Sequence, residues 1–319
     1  MRRAVVTGAF SYIGSAAARE LLDRGWQVHT LTNRMRPDGA TQVSTSPLRF
    51  DLEHLVAELR GADLFVNTYW IRLPHGNQDF QTAIAASKRL IEAARRAGVG
   101  RLVHVSVSNA SPHSELGYYR GKAQVDEAVR ASGLPHAIVR PTLVVGPRDV
   151  LSNNIAWFLR RFPFFPVPNG GGYRLQPVTL DDTGKIIADA AEARGDLDVD
   201  AAGPERFTFR EYVQLLAKVC GVRPAILSTP DWVSLAGIFL VEQLLGDTIL
   251  SREELWGLEQ ELLISHAAPL GTERTSAWLA AHGAELGDGY VNDAKRHFGE
   301  DASAPIGDPT TGKTPIQSG

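Results

Sequence analysis

Cysteine is almost absent from this sequence, because the 319 residues contain only one, Cys220. A single cysteine excludes an intrachain disulfide and a cysteine-rich metal site, and it fits a reducing compartment. We therefore expect a cytoplasmic protein. The nine histidines show neither an HExxH pattern nor a paired spacing, so the sequence predicts no metal site. A Gly-x-Ser-x-Gly elbow, which would favour a hydrolase, is also missing.

A large charge of one sign and long hydrophobic runs are missing too. The formal net charge is -3, which gives no argument for nucleic acid as a partner. The most apolar late run, 232–241, is too short to cross a bilayer, so no transmembrane segment is expected. We interpret this run as a buried helix, with docking on a partner or a membrane surface as the alternative. A strand is predicted near the first residue, which leaves no room for a signal peptide.

Strands and helices alternate in the first half of the chain. RAVVT (3–7), WQVHTLT (26–32) and ADLFVNT (62–68) are typical of strands, and 13–24 and 78–97 are typical of helices. This alternation indicates βαβ units and a parallel sheet. The strands are nearly continuous apolar runs, which indicates that helices cover both faces of the sheet. The sequence therefore predicts a Rossmann-type, doubly wound α/β fold.

The character of the chain changes after Gly146, where aromatic and then Pro- and Gly-rich segments follow. We expect residues 1–150 to form a dinucleotide-binding core whose sheet is completed at about 175–205. Residues 151–299 are expected to form a smaller, mostly helical, substrate-binding part. Residues 300–319 are poor in apolar side chains and rich in Pro, Gly and Thr, so we expect a disordered tail.

Some further segments give local predictions. RLVHVSVS (101–108) and PHAIVRPTLVVG (135–146) are each expected to be one strand. A helix is expected over 251–263, where Ser251 and Glu254 have capping-box spacing.

The first strand leads through a glycine turn, TGAFSYIG (7–14), directly into a helix. A helix N-terminus presents free N–H groups and a partial positive charge, which suits a phosphate. Gly8 permits the tight turn, Gly14 lets the helix lie close to the sheet, and Ser11 stands where a middle glycine is usual. The strand–turn–helix context favours dinucleotide binding over a purely structural turn. The residues expected to hold the cofactor here are Thr7, Gly8, Ser11, Tyr12, Ile13 and Gly14.

The residues after the second strand bear on the choice between NAD and NADP. An acidic residue there would bond the ribose hydroxyls of NAD, but the chain has Thr32 and Asn33, followed by Arg34 and Arg36. Guanidinium groups suit a phosphate, so we expect NADP to be preferred over NAD. The alternative is that both arginines are solvated loop residues. The cofactor contacts expected on this side are Asn33, Arg34, Arg36 and, at the end of a predicted third strand, Asp51 and Leu52.

The segment ELGYYRGKAQVDEAV (115–129) carries Tyr118 and Lys122 four residues apart on a predicted helix. Residues with this spacing share one face of a helix. An ammonium group favours the phenolate form of a neighbouring phenol, whose pKa is otherwise near 10. Such a tyrosine can exchange a proton with a carbonyl or an alcohol while hydride moves to or from a cofactor. The alternative is that Tyr118 packs on the sheet and Lys122 lies in water. Tyr119 points elsewhere and is interpreted as packing or pocket wall.

Together, TGAFSYIG, YYRGK and RPTLVVGP resemble the short-chain dehydrogenase/reductase superfamily, in particular its extended and atypical branches, over roughly residues 3–210. The resemblance implies that Tyr118 is the acid/base, that Lys122 tunes it and binds the ribose, and that Ser108 holds the substrate oxygen. Ser106 competes with Ser108 for that role. We prefer Ser108 because it lies nearer the carboxyl end of its strand, where ligands collect. The contacts expected or implied on the nicotinamide side are Asn67, Pro141 and Thr142.

A small-molecule substrate is the expected partner. The aromatic segment 157–165 is interpreted either as the wall of an apolar substrate pocket or as ordinary core. An apolar or aromatic substrate is therefore one expectation. Many relatives in the superfamily dimerise, which leaves a homodimer open.

Competing functions follow from these residues. The leading hypothesis is an NAD(P)-dependent oxidoreductase or epimerase/dehydratase. The alternative is a non-catalytic NAD(P)H-binding sensor or accessory protein, because the atypical branch includes nitrogen-metabolite repression regulators and an accessory subunit of respiratory complex I. Ser11 in the glycine turn leaves room for that alternative, whereas the intact Tyr118–Lys122 pair favours an enzyme. A nucleotide-sugar isomerase would need a second basic site, which Arg160, Arg161 and Arg174 keep open.

Overall fold

A computed structural model describes residues 2–232, 246 and 251–306, and the statements below concern those residues. Within them the chain divides into two compact units. The boundary predicted at residue 150 falls inside the second unit. The first unit consists of Met1–Pro141, Leu180–Ala201 and Ser303–Gly319, and the second of Thr142–Thr179 and Ala202–Ala302.

Strands and helices alternate through much of the first half of the chain, although some strands follow one another without an α-helix between them. In chain order they are β1 (Arg3–Thr7), α1 (Tyr12–Asp23), β2 (Gln27–Leu31), β3 (Val43–Ser46), α2 (Leu52–Leu59), β4 (Leu64–Asn67), α3 (Phe80–Ala97), β5 (Arg101–Val105), α4 (Gly117–Arg130), β6 (His136–Pro141), β7 (Leu143–Val145), α5 (Val150–Arg161), β8 (Phe164–Pro168), a 3-10 turn (Asn169–Gly171), β9 (Arg174–Leu175), β10 (Pro177–Thr179), α6 (Leu180–Glu192), β11 (Leu197–Ala201), β12 (Phe207–Thr208), α7 (Phe209–Val219), β13 (Ala225–Thr229), α8 (Arg252–Glu259), α9 (Thr275–His282), α10 (Asp293–Phe298) and a second 3-10 turn (Glu300–Ser303).

The first unit contains a parallel sheet of seven described strands in the order β11-β6-β5-β4-β1-β2-β3. This order confirms the predicted Rossmann-type fold. The strand order reverses between β1 and β4, and in such sheets ligands bind beyond the carboxyl ends of the strands at that point.

Helices cover the sheet of the first unit. Helix α1 packs against α6, while α2, α3 and α4 pack in sequence. The strands contribute fully buried side chains such as Val5, Phe65, Leu102 and Ile138. Burial of this apolar surface on both sides of the strands is what stabilises the layered arrangement.

The second unit has its own apolar core, built mainly from α5, α7 and α9. Tyr212 on α7 is fully buried there, and its hydroxyl lies 2.7 Å from Ser152 Oγ on α5. Short strand pairs, β7 with β10, β8 with β13 and β9 with β12, accompany the helices.

Several local predictions need correction. The segment 135–146 is two strands, because β6 joins the large sheet and β7 pairs with β10 in the second unit. The helix predicted over 251–263 spans Arg252–Glu259, although its Ser251–Glu254 capping box is confirmed. Of the predicted disordered tail, residues 300–306 include a short turn and make backbone hydrogen bonds, while 307–319 lie outside the described residues. The apolar run 232–241 also lies outside them, except for the exposed Trp232.

Candidate functional site

The glycine turn brings the start of α1 very close to the end of β1. Gly8 adopts φ +68°, in the left-handed region that favours glycine. A Cβ on Gly14 would lie 2.0 Å from the carbonyl oxygen of Gly8, so only glycine lets α1 start this close to the turn. The hydroxyl of Ser11 donates to that same carbonyl at 2.6 Å and does not cap α1. A helix N-terminus such as that of α1 presents N–H groups that the helix itself does not use, which suits a phosphate.

The residues after β2 form a polar corner beside this turn. The Asn33 amide exchanges two hydrogen bonds with the backbone of Leu48, at 3.1 and 3.0 Å. Arg36 donates to Thr45 Oγ1 at 3.4 Å, and Arg34 donates to the carbonyl of Ala304 at 2.7 Å. Asn33 therefore holds the loop in place, while the guanidinium groups of Arg34 and Arg36 stand at the corner where a 2′-phosphate is expected.

Asp51 and Leu52 do not end a strand, contrary to the prediction. Strand β3 ends at Ser46, and Asp51 is the N-cap of α2, where its carboxylate accepts from the N–H of His54 at 2.8 Å. An aspartate before an apolar periodic segment is a helix-start signal that outweighs a strand end here. On the same side of the sheet, Phe50 and Tyr69 meet edge to face at 4.9 Å.

Tyr118 lies in the first turn of α4, among aromatic side chains. Its ring meets Trp70 and Phe80 nearly perpendicularly, each at a centroid distance of 6.0 Å. The neighbouring Tyr119 is buried. The predicted spacing therefore puts Tyr118 against the chain that follows β4, within an apolar surrounding.

Lys122 is one turn further along α4 and is almost completely buried, with 3% of its surface exposed. Its ammonium group donates to the carbonyl of Val105 at 2.9 Å and lies 4.7 Å from the centre of the Trp70 ring. Burial lowers the pKa of Lys122 to about 7, and the nearby carboxylate of Asp126 opposes that shift. The alternative that Lys122 lies in water is therefore wrong.

A chain of buried polar residues lies around Lys122, and sequence reasoning missed it. Asp126 is four residues after Lys122 on α4, and its carboxylate pairs with Arg140 Nε at 3.2 Å. His104 Nε2 lies 3.7 Å from the same carboxylate. Burial raises the pKa of Asp126 and lowers the pKa of His104, whose charged form the Lys122 ammonium also disfavours. The four-residue spacing between Lys122 and Asp126 was the one available sequence signal.

Asn67 and Thr7 belong to the ends of the strands. The Asn67 side chain is fully buried, accepts from the N–H of Tyr69 at 3.1 Å and lies 3.3 Å from both Thr7 Oγ1 and His104 Nδ1. Thr7 Oγ1 accepts from the N–H of Thr68 at 2.8 Å. These side chains join the carboxyl ends of β1, β4 and β5, so they shape the floor of the candidate site.

Ser106 and Ser108 continue the strand beyond the end of β5. The N–H of Ser106 donates to Val139 at 2.8 Å, and that of Ser108 to Pro141 at 2.9 Å. Both serines are buried, Ser108 completely. The predicted strand 101–108 thus keeps its hydrogen bonding to β6 although regular strand geometry ends at Val105.

A cleft of about 200 Å³ opens between the N-terminal ends of α3 and α4, next to Tyr118. Phe80, which contacts the Tyr118 ring, lines it together with Gly117 and Arg120. Among the described residues, no three or more His, Cys, Asp or Glu side chains are grouped to hold a metal ion. No helix in the described ranges is long and apolar enough to cross a membrane.

In the second unit, the predicted aromatic and basic residues pack with one another. Trp157 meets Phe158 at 5.0 Å and Tyr290 at 5.5 Å, and Arg161 stacks on its ring. Arg160 donates to backbone carbonyls at 283–286, and Arg174 pairs with Glu261. These arginines have structural partners, which weakens their assignment to a second diphosphate.

Part of the chain is similar to known dinucleotide-binding proteins. Residues 8–148 match the family model described as NAD(P)H-binding. A mitochondrial NADH dehydrogenase [ubiquinone] 1 alpha subcomplex subunit 9 from Arabidopsis thaliana is 26% identical over 71% of this chain and 60% of its own length. A ceramide reductase from Caulobacter vibrioides is 26% identical over 71% of this chain and 73% of its own.

A solved structure agrees at the level of the fold. The UDP-glucuronic acid 4-epimerase from Bacillus cereus, in complex with NAD, superposes with a TM-score of 0.60 at 18% identity, over 72% of this chain and 87% of its own. The chain spans about 60% of the plant relative's length, so that relative's role does not transfer as a whole.

Proposed function

We propose that the chain is an NAD(P)-dependent oxidoreductase acting on a carbonyl or an alcohol, because residues 8–148 match the NAD(P)H-binding family model and the chain resembles the short-chain dehydrogenase/reductase superfamily. The observation that carries the proposal is the pair on α4: Tyr118, half-buried among aromatic rings, and Lys122, a buried cation one turn away. A buried cation that no solvent screens acts strongly on nearby groups.

In this proposal Tyr118 is the acid/base and exchanges a proton with the substrate oxygen. Lys122 stabilises the phenolate form of Tyr118 and binds the cofactor ribose, and Ser108 holds the substrate oxygen. The bound cofactor supplies or accepts the hydride. The glycine turn of residues 7–14 binds its diphosphate. Trp70 and Phe80 beside Tyr118 favour an apolar or aromatic substrate.

We propose NADP over NAD because Arg34 and Arg36 stand where NAD-preferring proteins carry a carboxylate. We assign an indirect role in cofactor binding to three of the predicted contact residues, whose side chains support the walls of the site: Asn67, Asp51 and Leu52. Pro141, at the end of β6, is retained as a contact on the nicotinamide side. A cytoplasmic location and a homodimer stay predictions.

A second candidate function is a non-catalytic NAD(P)H-binding accessory protein. The observation that favours it is the Lys122 ammonium, which already donates to Val105 and lies over Trp70. Similarity to a subunit of NADH dehydrogenase points the same way. An epimerase acting on a nucleotide sugar has less support, because Arg160, Arg161 and Arg174 have partners within the second unit.

The test compares Tyr118→Phe with Tyr119→Phe, which removes the same hydroxyl from the next residue of the same helix. NADPH oxidation is followed with a panel of apolar and aromatic aldehydes and ketones. We expect Tyr118→Phe to lower kcat by about 10²–10⁴-fold, as general acid–base catalysis contributes, while calorimetry shows unchanged NADPH binding. Tyr119→Phe should keep its turnover. Equal turnover in wild type and Tyr118→Phe would contradict the assignment, and NADPH binding without any turnover would favour the accessory protein.

A further inference from the structure

We propose that residues 303–306, which we call the C-terminal strap, close the 2′-phosphate corner of the cofactor site, so that NADP(H) binds fully only when the strap leaves. The inference rests on the proposed function and concerns the regulation of that same site. It is carried by the contacts that the strap makes with the two loops where the cofactor is expected.

The strap binds both loops through its main chain. The carbonyl of Ser303 accepts from the N–H of Met35 at 2.5 Å, and the carbonyl of Ala304 accepts from Arg34 Nη1 at 2.7 Å. The N–H of Ile306 donates to the carbonyl of Phe10 at 2.7 Å. Phe10 lies inside the glycine turn, and Met35 follows directly on Arg34. The strap therefore connects the diphosphate turn to the corner after β2.

The strap uses the donors that a phosphate would use. A phosphate binds through oxygen acceptors, and the corner offers it a guanidinium and a backbone N–H. The carbonyl oxygens of Ser303 and Ala304 lie at hydrogen-bond distance from those donors. An oxygen of a 2′-phosphate would have to lie in the same space to bond the same N–H groups. The strap and a 2′-phosphate therefore compete for Arg34 Nη1 and for the N–H of Met35.

The strap is anchored by one apolar side chain. Ile306 is 5% exposed, whereas Ser303 is exposed and its side chain faces solvent. The hydrogen bonds described above join the strap to the two loops through main-chain carbonyls or N–H groups of the strap. A phosphate makes a charge-assisted bond with Arg34, which is stronger than the bond to a neutral carbonyl. NADP(H) can therefore displace the strap through its phosphate, whereas the 2′-hydroxyl of NAD(H) competes less well for Arg34.

Ile306→Ser tests the proposal, because it removes the anchor and adds no charge. If the strap is closed in about nine of ten molecules, release should tighten NADPH binding about tenfold. NADH binding should tighten clearly less, since its ribose carries no phosphate for Arg34. Leu227→Ser is the control, because it makes the same kind of change on a side chain that is 48% exposed in β13. Calorimetric titration with NADPH and NADH gives four dissociation constants for each comparison of a variant with wild type.

The Arg34→Gln background locates the effect. With the guanidinium removed, Ile306→Ser should no longer favour NADPH over NADH, because the phosphate has lost its charged partner. In wild-type protein, hydrogen exchange should show that saturating NADPH speeds exchange at the Ile306 amide. This measurement does not depend on how well the Ile306 variant folds.

The outcomes separate this proposal from the proposed function. NADPH binding that is unchanged or weaker in Ile306→Ser, or equal tightening for NADH, overturns the strap and leaves cofactor binding intact. An Ile306 amide whose exchange NADPH slows or leaves unaltered also overturns it. Binding of neither nucleotide to wild type or variant overturns both proposals together.

Discussion

At the residue scale, Lys122 shows how one buried cation links stability to pH. Its native pKa is about 7, well below the value near 10.4 of an unfolded lysine. Between these values the unfolded chain binds more protons than the native one, so the wild-type free energy of unfolding rises with pH through this window. Below about pH 7 the full cost of the buried charge is present. The titratable or charged groups around it are Asp126, His104 and Arg140.

We therefore expect Lys122→Met to be more stable than wild type at pH 6.5, by about 2 kcal/mol, because the variant buries no charge. The difference should shrink toward pH 9.5. Urea unfolding at the two pH values measures both free energies. The exposed Lys88 on α3 provides the control, and Lys88→Met should change stability by less than about 0.5 kcal/mol. A stability difference that does not depend on pH would sink the explanation.

Gly14 carries the second prediction at this scale. In Gly14→Ala the new Cβ would meet the Gly8 carbonyl at 2.0 Å, so α1 or the turn must move. We expect a stability loss of about 1–3 kcal/mol, as for overpacked sites, together with weakened NADPH binding. Gly172→Ala is the matched control, since a Cβ there meets nothing within 4 Å. Normal NADPH affinity in Gly14→Ala would contradict the role of the turn, whatever the stability.

At the element scale, α7 is a helix whose first turn is fixed by a capping box of Thr208 and Glu211. Thr208 accepts from the N–H of Glu211 at 3.2 Å, and Glu211 returns a bond to the N–H of Thr208 at 2.8 Å. We expect Thr208→Ala to cost about 1 kcal/mol of stability, because one end of this capping box is lost. Chemical denaturation measures the loss. Gln214→Ala, at an exposed position inside α7, should have no comparable cost.

The same scale shows how far sequence patterns reach. The alternation of strands and helices in the first half was predictable from the sequence, because most of its strands are apolar runs and its helices have a helical periodicity. The break between β6 and β7 was not, because most of 135–146 is apolar and its two parts pair with partners far apart in sequence. Periodicity cannot report which sheet a strand joins.

At the scale of the whole molecule, Arg101 joins β5 to the segment between α6 and β11, where the chain returns to the sheet. From β5 its guanidinium donates to the carbonyls of Ala190 and Gly195, both at 2.9 Å, and the residue is 8% exposed. Burial lowers its pKa, although Asp196 opposes this. These bonds hold the end of α6 and the turn before β11 against a strand about ninety residues earlier.

Arg101→Met should lower the free energy of unfolding by about 2–4 kcal/mol, because the carbonyls of Ala190 and Gly195 lose a charged donor. Arg101→Lys should recover only part of this, since a single ammonium cannot serve both carbonyls as the fork of arginine does. Thermal unfolding of the three proteins gives the ranking. A methionine variant as stable as wild type would show that the chain's return depends on β11 pairing alone.

The sequence by itself determined the local features: the strand–glycine turn–helix start, the helix caps and the four-residue spacing of Tyr118 and Lys122. Each depends on neighbours in the chain. Only the tertiary structure decided that Lys122 of α4 is buried near His104 of β5 and Arg140 of β6. It alone also brought Ala304 to Arg34, 270 residues earlier. Contacts between distant segments arise from packing, and no local pattern of residues specifies them.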